Sequence, residues 1–241
     1  LTDGSQEKLF DIRNAGYSNG WLRNIQYYQG YALIAAFNGV IAINLSNNQH
    51  QYLHYLDSYI VTNDRLHSKV LSIKHNRLWI GTVDGLYSVN LDDMLAYLQH
   101  QRPYQAKTEL AALNIWQIKW VDDHALIPTE RGLYRFYPQQ QNTEFVLRFS
   151  DANLGLFENT IIDIVADKAG GYWLASRDNG AYYWHPRSKA IRNFSQMGPD
   201  TLSNDKIISI VEKNTNEQTL SKLFFIFQKR IDFIYNQFSR Q

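Results

Sequence analysis

Three short β-type runs recur along this chain at nearly constant spacing, and that repeat restricts the fold more than any other feature. The clearest copy is Val70–Ile73, Asn76–Thr82 and Gly85–Val89, with turns centred on His75-Asn76 and Asp84-Gly85. The pattern returns as Ile115–Ile118, Ala125–Thr129 and Gly132–Phe136, then as Ile161–Val165, Tyr172–Ser176 and Gly180–Trp184. A fainter early copy comprises Leu22–Tyr27, Ala32–Ala36 and Gly39–Leu45. A fainter late one comprises Ile207–Val211, Leu223–Phe227 and Ile231–Tyr235, with Arg230 in place of the turn glycine. The second turn falls at positions 39, 85, 132, 180 and 230, separations of 46, 47, 48 and 50 residues.

A repeat of about 40–50 residues with three or four short strands is the size of one β-propeller blade. The recurring glycine supplies the positive φ of a tight turn between the second and third strands. Trp79 and Trp173 share one repeat position with Leu33, Leu126 and Phe224, as blade-on-blade packing requires. The expected fold is therefore all-β, a single β-propeller domain over 1–241 with about five four-stranded blades. The repeats span approximately 14–62, 63–108, 109–152, 153–199 and 200–241. Residues 1–13, with Lys8-Leu9-Phe10-Asp11-Ile12, form an outer strand able to complete the final blade and remove a free sheet edge. The alternative is an open arc, or a fragment of a larger propeller. Leu91–His100 reads equally as a short helix or as a long loop plus an outer strand.

The stretch Leu78-Trp79-Ile80-Gly81-Thr82-Val83-Asp84-Gly85-Leu86-Tyr87 resembles the two-component regulator propeller repeat: apolar-Trp-apolar-Gly-Thr, two polar residues, then Gly-Leu-aromatic. Looser copies are Leu126-Ile127-Pro128-Thr129-Glu130-Arg131-Gly132-Leu133-Tyr134 and Tyr172-Trp173-Leu174-Ala175-Ser176-Arg177-Asp178-Asn179-Gly180. Leu154–Asn159 and Asp200–Asp205 are similar to the Gly-Leu…Asn segment that precedes the family's inner strand. The resemblance covers about Trp21 to Val211, is most specific in the second repeat, and fades in the last, which lacks the Trp, Gly and Thr positions. It implies the extracytoplasmic sensor part of bacterial histidine kinases, hybrid regulators or diguanylate cyclases, ahead of a membrane helix and an output domain. The family's rings usually contain more repeats than this chain.

In a propeller, the loops leading into the first strand of each blade and the turns joining its second and third strands lie on one face. The former offer Trp21, Arg23, His67, Asn159 and Asp205; the latter offer Asn38, Asp84, Glu130, Arg131, Arg177, Asp178 and Lys229. Of these, Trp21, Arg23, Asp84, Glu130, Arg131, Arg177 and Asp178 are the candidate ligand-binding residues. Trp21 would supply stacking, and the arginines paired hydrogen bonds to carboxylate, sulfate or sugar hydroxyls. The competing structural reading makes Asp84, Glu130 and Asp178 turn residues that bond their own backbone, with the arginines solvated.

Catalysis and metal binding find little support in the residue pattern. A glycosidase would need two of the turn carboxylates about 5–9 Å apart, yet these acids recur simply as repeat features. The histidines, at 50, 54, 67, 75, 100, 124 and 185, lack metal-site spacing, and Gly170-Gly171 reads as a hairpin turn. No cofactor is expected. With 24 Lys plus Arg against 23 Asp plus Glu, the net charge of +1 gives no footprint for nucleic acid. Cysteine is absent, so there is no disulfide framework. The chain opens on Leu1 without Met, read as removal of an upstream signal peptide or domain. The most apolar stretch, Tyr31–Leu45, is too short and too polar to span a bilayer.

The expected function is that of a ligand-sensing module located in the periplasm or elsewhere outside the cytoplasm. Its expected partners are a small-molecule, glycan or peptide ligand, a membrane-linked output domain and, optionally, a second copy of itself. A carbohydrate-active hydrolase or lyase and a protein-interaction scaffold are the two alternatives.

Overall fold

The computed structural model describes residues 22–36, 39–53, 67–147, 160–167, 170–187, 191–195, 202, 207–213, 222–227 and 231–234. Its architecture is all-β of the propeller type, a succession of antiparallel sheets whose strands pair in chain order. The chain divides into two compact units, Leu1–Ile115 and Trp116–Gln241. The closing strand expected within residues 1–13 lies outside the described residues.

The first unit holds two four-stranded sheets. One contains β1 (Ile25–Tyr28), β2 (Tyr31–Ala36), β3 (Gly39–Asn44) and β4 (His50–Leu53); the other contains β5 (Ser68–Lys74), β6 (Arg77–Thr82), β7 (Gly85–Asn90) and β8 (Lys107–Ala111). The turn into β2 places Gln29 and Gly30 at φ 42° and 84°; the turn into β6 places His75 and Asn76 at 51° and 55°. Paired positive φ values mark two-residue hairpins whose twist matches the flanking strands.

Alternating side chains split each inner strand between two faces. Leu78, Ile80, Tyr87 and Val89 join Leu33, Ala35, Leu53 and Leu71 in the core between the two sheets. Residues 91–100 settle the earlier alternatives as a helix, α1 (Leu91–His100), followed by the outer strand β8. The Asn90 side chain caps the helix, accepting from the amides of Asp92 at 2.8 Å and Asp93 at 3.2 Å. Leu91, Met94 and Leu98 are buried in the same core, and Gln51 of β4 donates to the Leu98 carbonyl at 2.8 Å.

The second unit holds three sheets. The first contains β9 (Lys119–Val121), β10 (His124–Thr129), β11 (Gly132–Tyr137) and β12 (Asn142–Leu147). The next contains β13 (Ile161–Ala166), β14 (Tyr172–Ser176), β15 (Ala181–Trp184) and β16 (Ile191–Phe194). Among the described residues the last is three-stranded: β17 (Ile207–Lys213), β18 (Lys222–Phe227) and β19 (Ile231–Ile234). Leu126 and Leu133 pack with Leu174, Tyr182 and Ile164 between the first two sheets. Trp173 packs with Phe194, Ile207 and Ile210 between the next two. Trp79, Trp173, Leu33 and Leu126, the residues assigned to one repeat position, are all fully buried.

The turn glycines meet two constraints. Gly39, Gly85, Gly132 and Gly180 have φ values of 142°, 148°, 136° and 75°. Each also lies under a carbonyl of the fourth strand, from Leu53, Leu110, Leu147 and Phe194 respectively, where a Cβ would collide with backbone. The glycine thus serves the outer strand as well as the turn, which explains its recurrence in a position that β propensity alone disfavours.

Candidate functional site

The turns that carry most candidate residues are held by one hydroxyl apiece. Thr82 Oγ1 accepts from the Asp84 amide at 3.0 Å and donates to the Gly85 carbonyl at 2.9 Å. Thr129 Oγ1 accepts from the Arg131 amide at 3.1 Å and donates to the Gly132 carbonyl at 3.0 Å. In the next repeat Ser176 Oγ accepts from the amides of Asp178 and Asn179, at 3.3 and 3.1 Å. The threonine of the Gly-Thr motif is therefore a turn clamp, and a fixed backbone presents exposed side chains at Asp84, Arg131, Arg177 and Asp178.

Those side chains are not equivalent. Arg131 Nε lies 3.4 Å from Glu130 Oε1, so this guanidinium is partly neutralised by its neighbour. Arg177 is anchored by its amide, which donates to the Thr160 carbonyl at 3.1 Å. Its guanidinium reaches the preceding repeat and lies over the indole of Trp116, with Cζ 4.3 Å from the ring centroid. Among the described residues it makes no hydrogen bond or ion pair, so its fork of donors is unspent. In the first unit, Asp84 faces solvent near Tyr87, whose hydroxyl is pushed above the usual phenol range by burial and secondarily by that carboxylate. Arg23 is exposed, and its amide donates to the Ala35 carbonyl at 3.3 Å; the His67 carbonyl accepts from the Val83 amide at 3.2 Å. Trp21, Asn38, Asn159, Asp205 and Lys229 lie outside the described residues.

Sequence reading overlooked two features of this end of the sheets. One is Trp116, the aromatic partner of Arg177. The other is a polar belt on the residue that follows. Gln117, Asp163 and Ser209 occupy one repeat position, 46 residues apart in each step. Gln117 Nε2 donates to Asp163 Oδ1 at 3.0 Å, and Ser209 Oγ donates to Asp163 Oδ2 at 2.7 Å. The Ile210 amide reaches the same Oδ2 at 3.0 Å, and the Ile164 amide reaches Oδ1 at 2.9 Å. The first unit has a related link: Asn24 Oδ1 accepts from the Leu71 amide at 3.2 Å. Where the belt position is Val70, the adjacent buried Lys69 donates its amino group to Asn114 Oδ1 instead.

A bulge makes the belt possible. The ladder skips one residue between Ser68 and Val70, between Ile161 and Asp163, and between Ile207 and Ser209. Lys69, Ile162 and Ile208 are the skipped residues, and Trp116 takes the same repeat position ahead of Gln117. Bulges re-aim side chains and free backbone donors. At Ile162 and Ile208 the skipped side chain leaves the ladder while the next one bonds to the neighbouring sheet. Aligning Ile115-Trp116-Gln117-Ile118 with Ile161-Ile162-Asp163-Ile164 and Ile207-Ile208-Ser209-Ile210 would have exposed this, since a polar residue interrupts an apolar strand in all three.

Among the described residues no cluster of three or more His, Asp or Glu side chains is placed to hold a metal ion, and no helix is long and apolar enough to cross a membrane. No protein-family description matches the chain, and neither does any curated protein sequence. Solved structures do match it in fold. The extracellular domain of BT4673 from B. thetaiotaomicron superposes with a TM-score of 0.64 at 15% identity, over 88% of this chain and 27% of that one. The extracellular domain of the hybrid two-component system BT3049 from the same organism gives 0.63 at 14% identity, over 90% and 30%. YCF48 from Cyanidioschyzon merolae gives 0.55 at 13% identity, over 89% and 71%. The chain thus spans less than a third of the two extracellular domains.

Proposed function

We propose that this chain is part of the ligand-sensing, extracytoplasmic region of a bacterial signal-transduction receptor, linked to a membrane-tethered output domain. Its fold likeness to the extracellular domains of BT4673 and BT3049 supports the setting. The observation that carries the binding function is the Arg177 guanidinium, held over the Trp116 ring with its hydrogen-bonding edge unspent among the described residues. A stacked guanidinium has already lost much of its rotamer freedom, so a ligand oxygen engages it at reduced entropic cost. Arg131 and Glu130 form the flank, with Asp178 beside Arg177. The ligand is a small molecule, oligosaccharide or peptide, and the chain acts by binding rather than turnover.

The test is a thermal-shift screen of glycan, peptide and metabolite libraries, followed by titration of Arg177→Ala and Arg131→Ala. Arg177→Ala should weaken binding by about 1.5–3 kcal/mol, the range for a hydrogen bond to a charged group, with the melting temperature nearly unchanged. Arg131→Ala should cost less, because Glu130 already engages that side chain. Unchanged affinity in both variants would remove the site from this end of the sheets.

A further inference from the structure

The surroundings of Arg177 are chemically lopsided, and the asymmetry points to a ligand class. The belt holds the inner strands of the second unit in register, so the residues preceding Gln117, Asp163 and Ser209 stand at matching heights. Those residues are Trp116, Ile162 and Ile208, all apolar. In the first unit the same repeat position carries Arg23 and Lys69. Ile208 is 52% exposed, a large aliphatic side chain left in water where the bulge turns it out of the ladder. Ile162 and Trp116 are half-buried.

From these observations we infer that the site accepts an apolar-bodied carboxylate: an aromatic or aliphatic acid whose carboxylate pairs with Arg177 and whose body lies along Trp116, Ile162 and Ile208. This rests on the reading above that the Arg177 end of the sheets is a ligand site. A planar two-oxygen anion matches the guanidinium fork. The exposed aliphatic surface of Ile208 gains from being covered, whereas a sugar face would leave its hydroxyls against the isoleucines without partners. Stacking a pyranose on the Trp116 face that Arg177 covers would also require displacing the guanidinium from 4.3 Å. A guanidinium over an apolar floor, as the described residues place it, suits a monoanion with a greasy body better than a polyhydroxylated or neutral ligand.

The probes are 4-phenylbutyrate, the corresponding 4-phenylbutanamide and galacturonate, titrated by calorimetry into the full chain and into Arg177→Gln and Ile208→Ser. Melting curves of both variants establish that they are folded. The expected result is saturable binding of 4-phenylbutyrate, weakened about tenfold or more in Arg177→Gln and several-fold in Ile208→Ser, with the amide about tenfold weaker than the acid. Three results would overturn the inference: galacturonate binding more tightly than 4-phenylbutyrate, the amide matching the acid, or no binding of the acid at about 10 mM. In any of these cases a library ligand whose affinity falls in Arg177→Ala keeps the binding site and discards only the ligand class. Binding of 4-phenylbutyrate that is indifferent to Arg177→Gln removes both.

Discussion

Removing one carboxylate tests the belt directly. Asp163 is buried, and its two oxygens receive Gln117 Nε2, Ser209 Oγ and the amides of Ile164 and Ile210. In Asp163→Ala these donors lose their acceptor together. The Ser209 hydroxyl and Gln117 amide can rotate and recover part of the loss through water. The Ile210 amide is fixed by the strand and cannot turn away. An orphaned buried donor costs about 1–3 kcal/mol, and each lost bond to a charged group is worth about 1.5–3 kcal/mol. Allowing for recovery by the two mobile donors, Asp163→Ala should lower stability by about 3–5 kcal/mol, placing it among severe single substitutions.

Urea unfolding followed by tryptophan fluorescence measures this, with the midpoint falling and the slope unchanged. Asp163→Asn, which keeps one acceptor but turns an amide group towards Gln117 and the Ile164 amide, should cost about half as much. The control is a double-mutant cycle with Ser209→Ala, for which the 2.7 Å contact predicts a coupling of about 1–2 kcal/mol. A loss below about 1 kcal/mol in Asp163→Ala, or a coupling of zero, would show that the belt does not hold the sheets together.

Other perturbations isolate single elements. Gly85→Ala should destabilise by about 2–4 kcal/mol, since its Cβ meets the Leu110 carbonyl at φ 148°; Gly30→Ala, with nothing within 4 Å of its Cβ, should cost only about 1 kcal/mol in the same urea assay. Trp173→Ala should cost about 3–5 kcal/mol, read as a drop in melting temperature, because the indole is fully buried. Asn90→Ala should cost about 1 kcal/mol and increase amide exchange at Asp92 and Asp93, whose donors it caps. The Tyr183 hydroxyl is pushed up to about 12 by burial and by its hydrogen bond to Asp167. The folded state therefore keeps its proton where the unfolded chain, near 10, gives it up. That contribution is complete below pH about 10 and is lost as pH rises from there through about 12. Tyr183→Phe should flatten the fall in stability over that window.

The fold was legible because its constraints are local and periodic. A turn glycine, in two repeats a threonine three residues before it, and a large apolar residue on the second strand recur often enough to give the blade size and class. Trp79, Trp173, Leu33 and Leu126 accordingly sit in the core as expected. The helix at 91–100 was only half legible, because its apolar positions also suit an outer strand. What decides it is the Asn90 cap and the burial of Leu91, Met94 and Leu98. The proposed site was harder to read for a different reason. Arg131 and Arg177 occupy nearby turn positions, and nothing local distinguishes them. Their difference comes from what each reaches: Glu130 next door for one, Trp116 in the preceding repeat for the other. Contacts between sheets depend on blade geometry, which single-repeat patterns do not encode.

The bulge places the proposed site and the scaffold on consecutive residues. At 162–163 and 208–209 the skipped residue leaves the ladder, while its successor ties one sheet to the next. The two positions therefore answer to different physics. The second must offer polar groups at hydrogen-bond distance from a neighbouring strand, which restricts it to Asn, Gln, Asp and Ser in four of the five repeats. The first has no ladder partner to satisfy and varies freely as Arg23, Lys69, Trp116, Ile162 and Ile208. A repeat scaffold gains from this arrangement, since the lining of its turn end can change residue by residue without touching the bonds between blades. On the proposed reading, variation in the first position bears on ligand chemistry more than the turn acids do, because the backbone settings of those acids are held by the Thr82, Thr129 and Ser176 hydroxyls whatever side chain they bear.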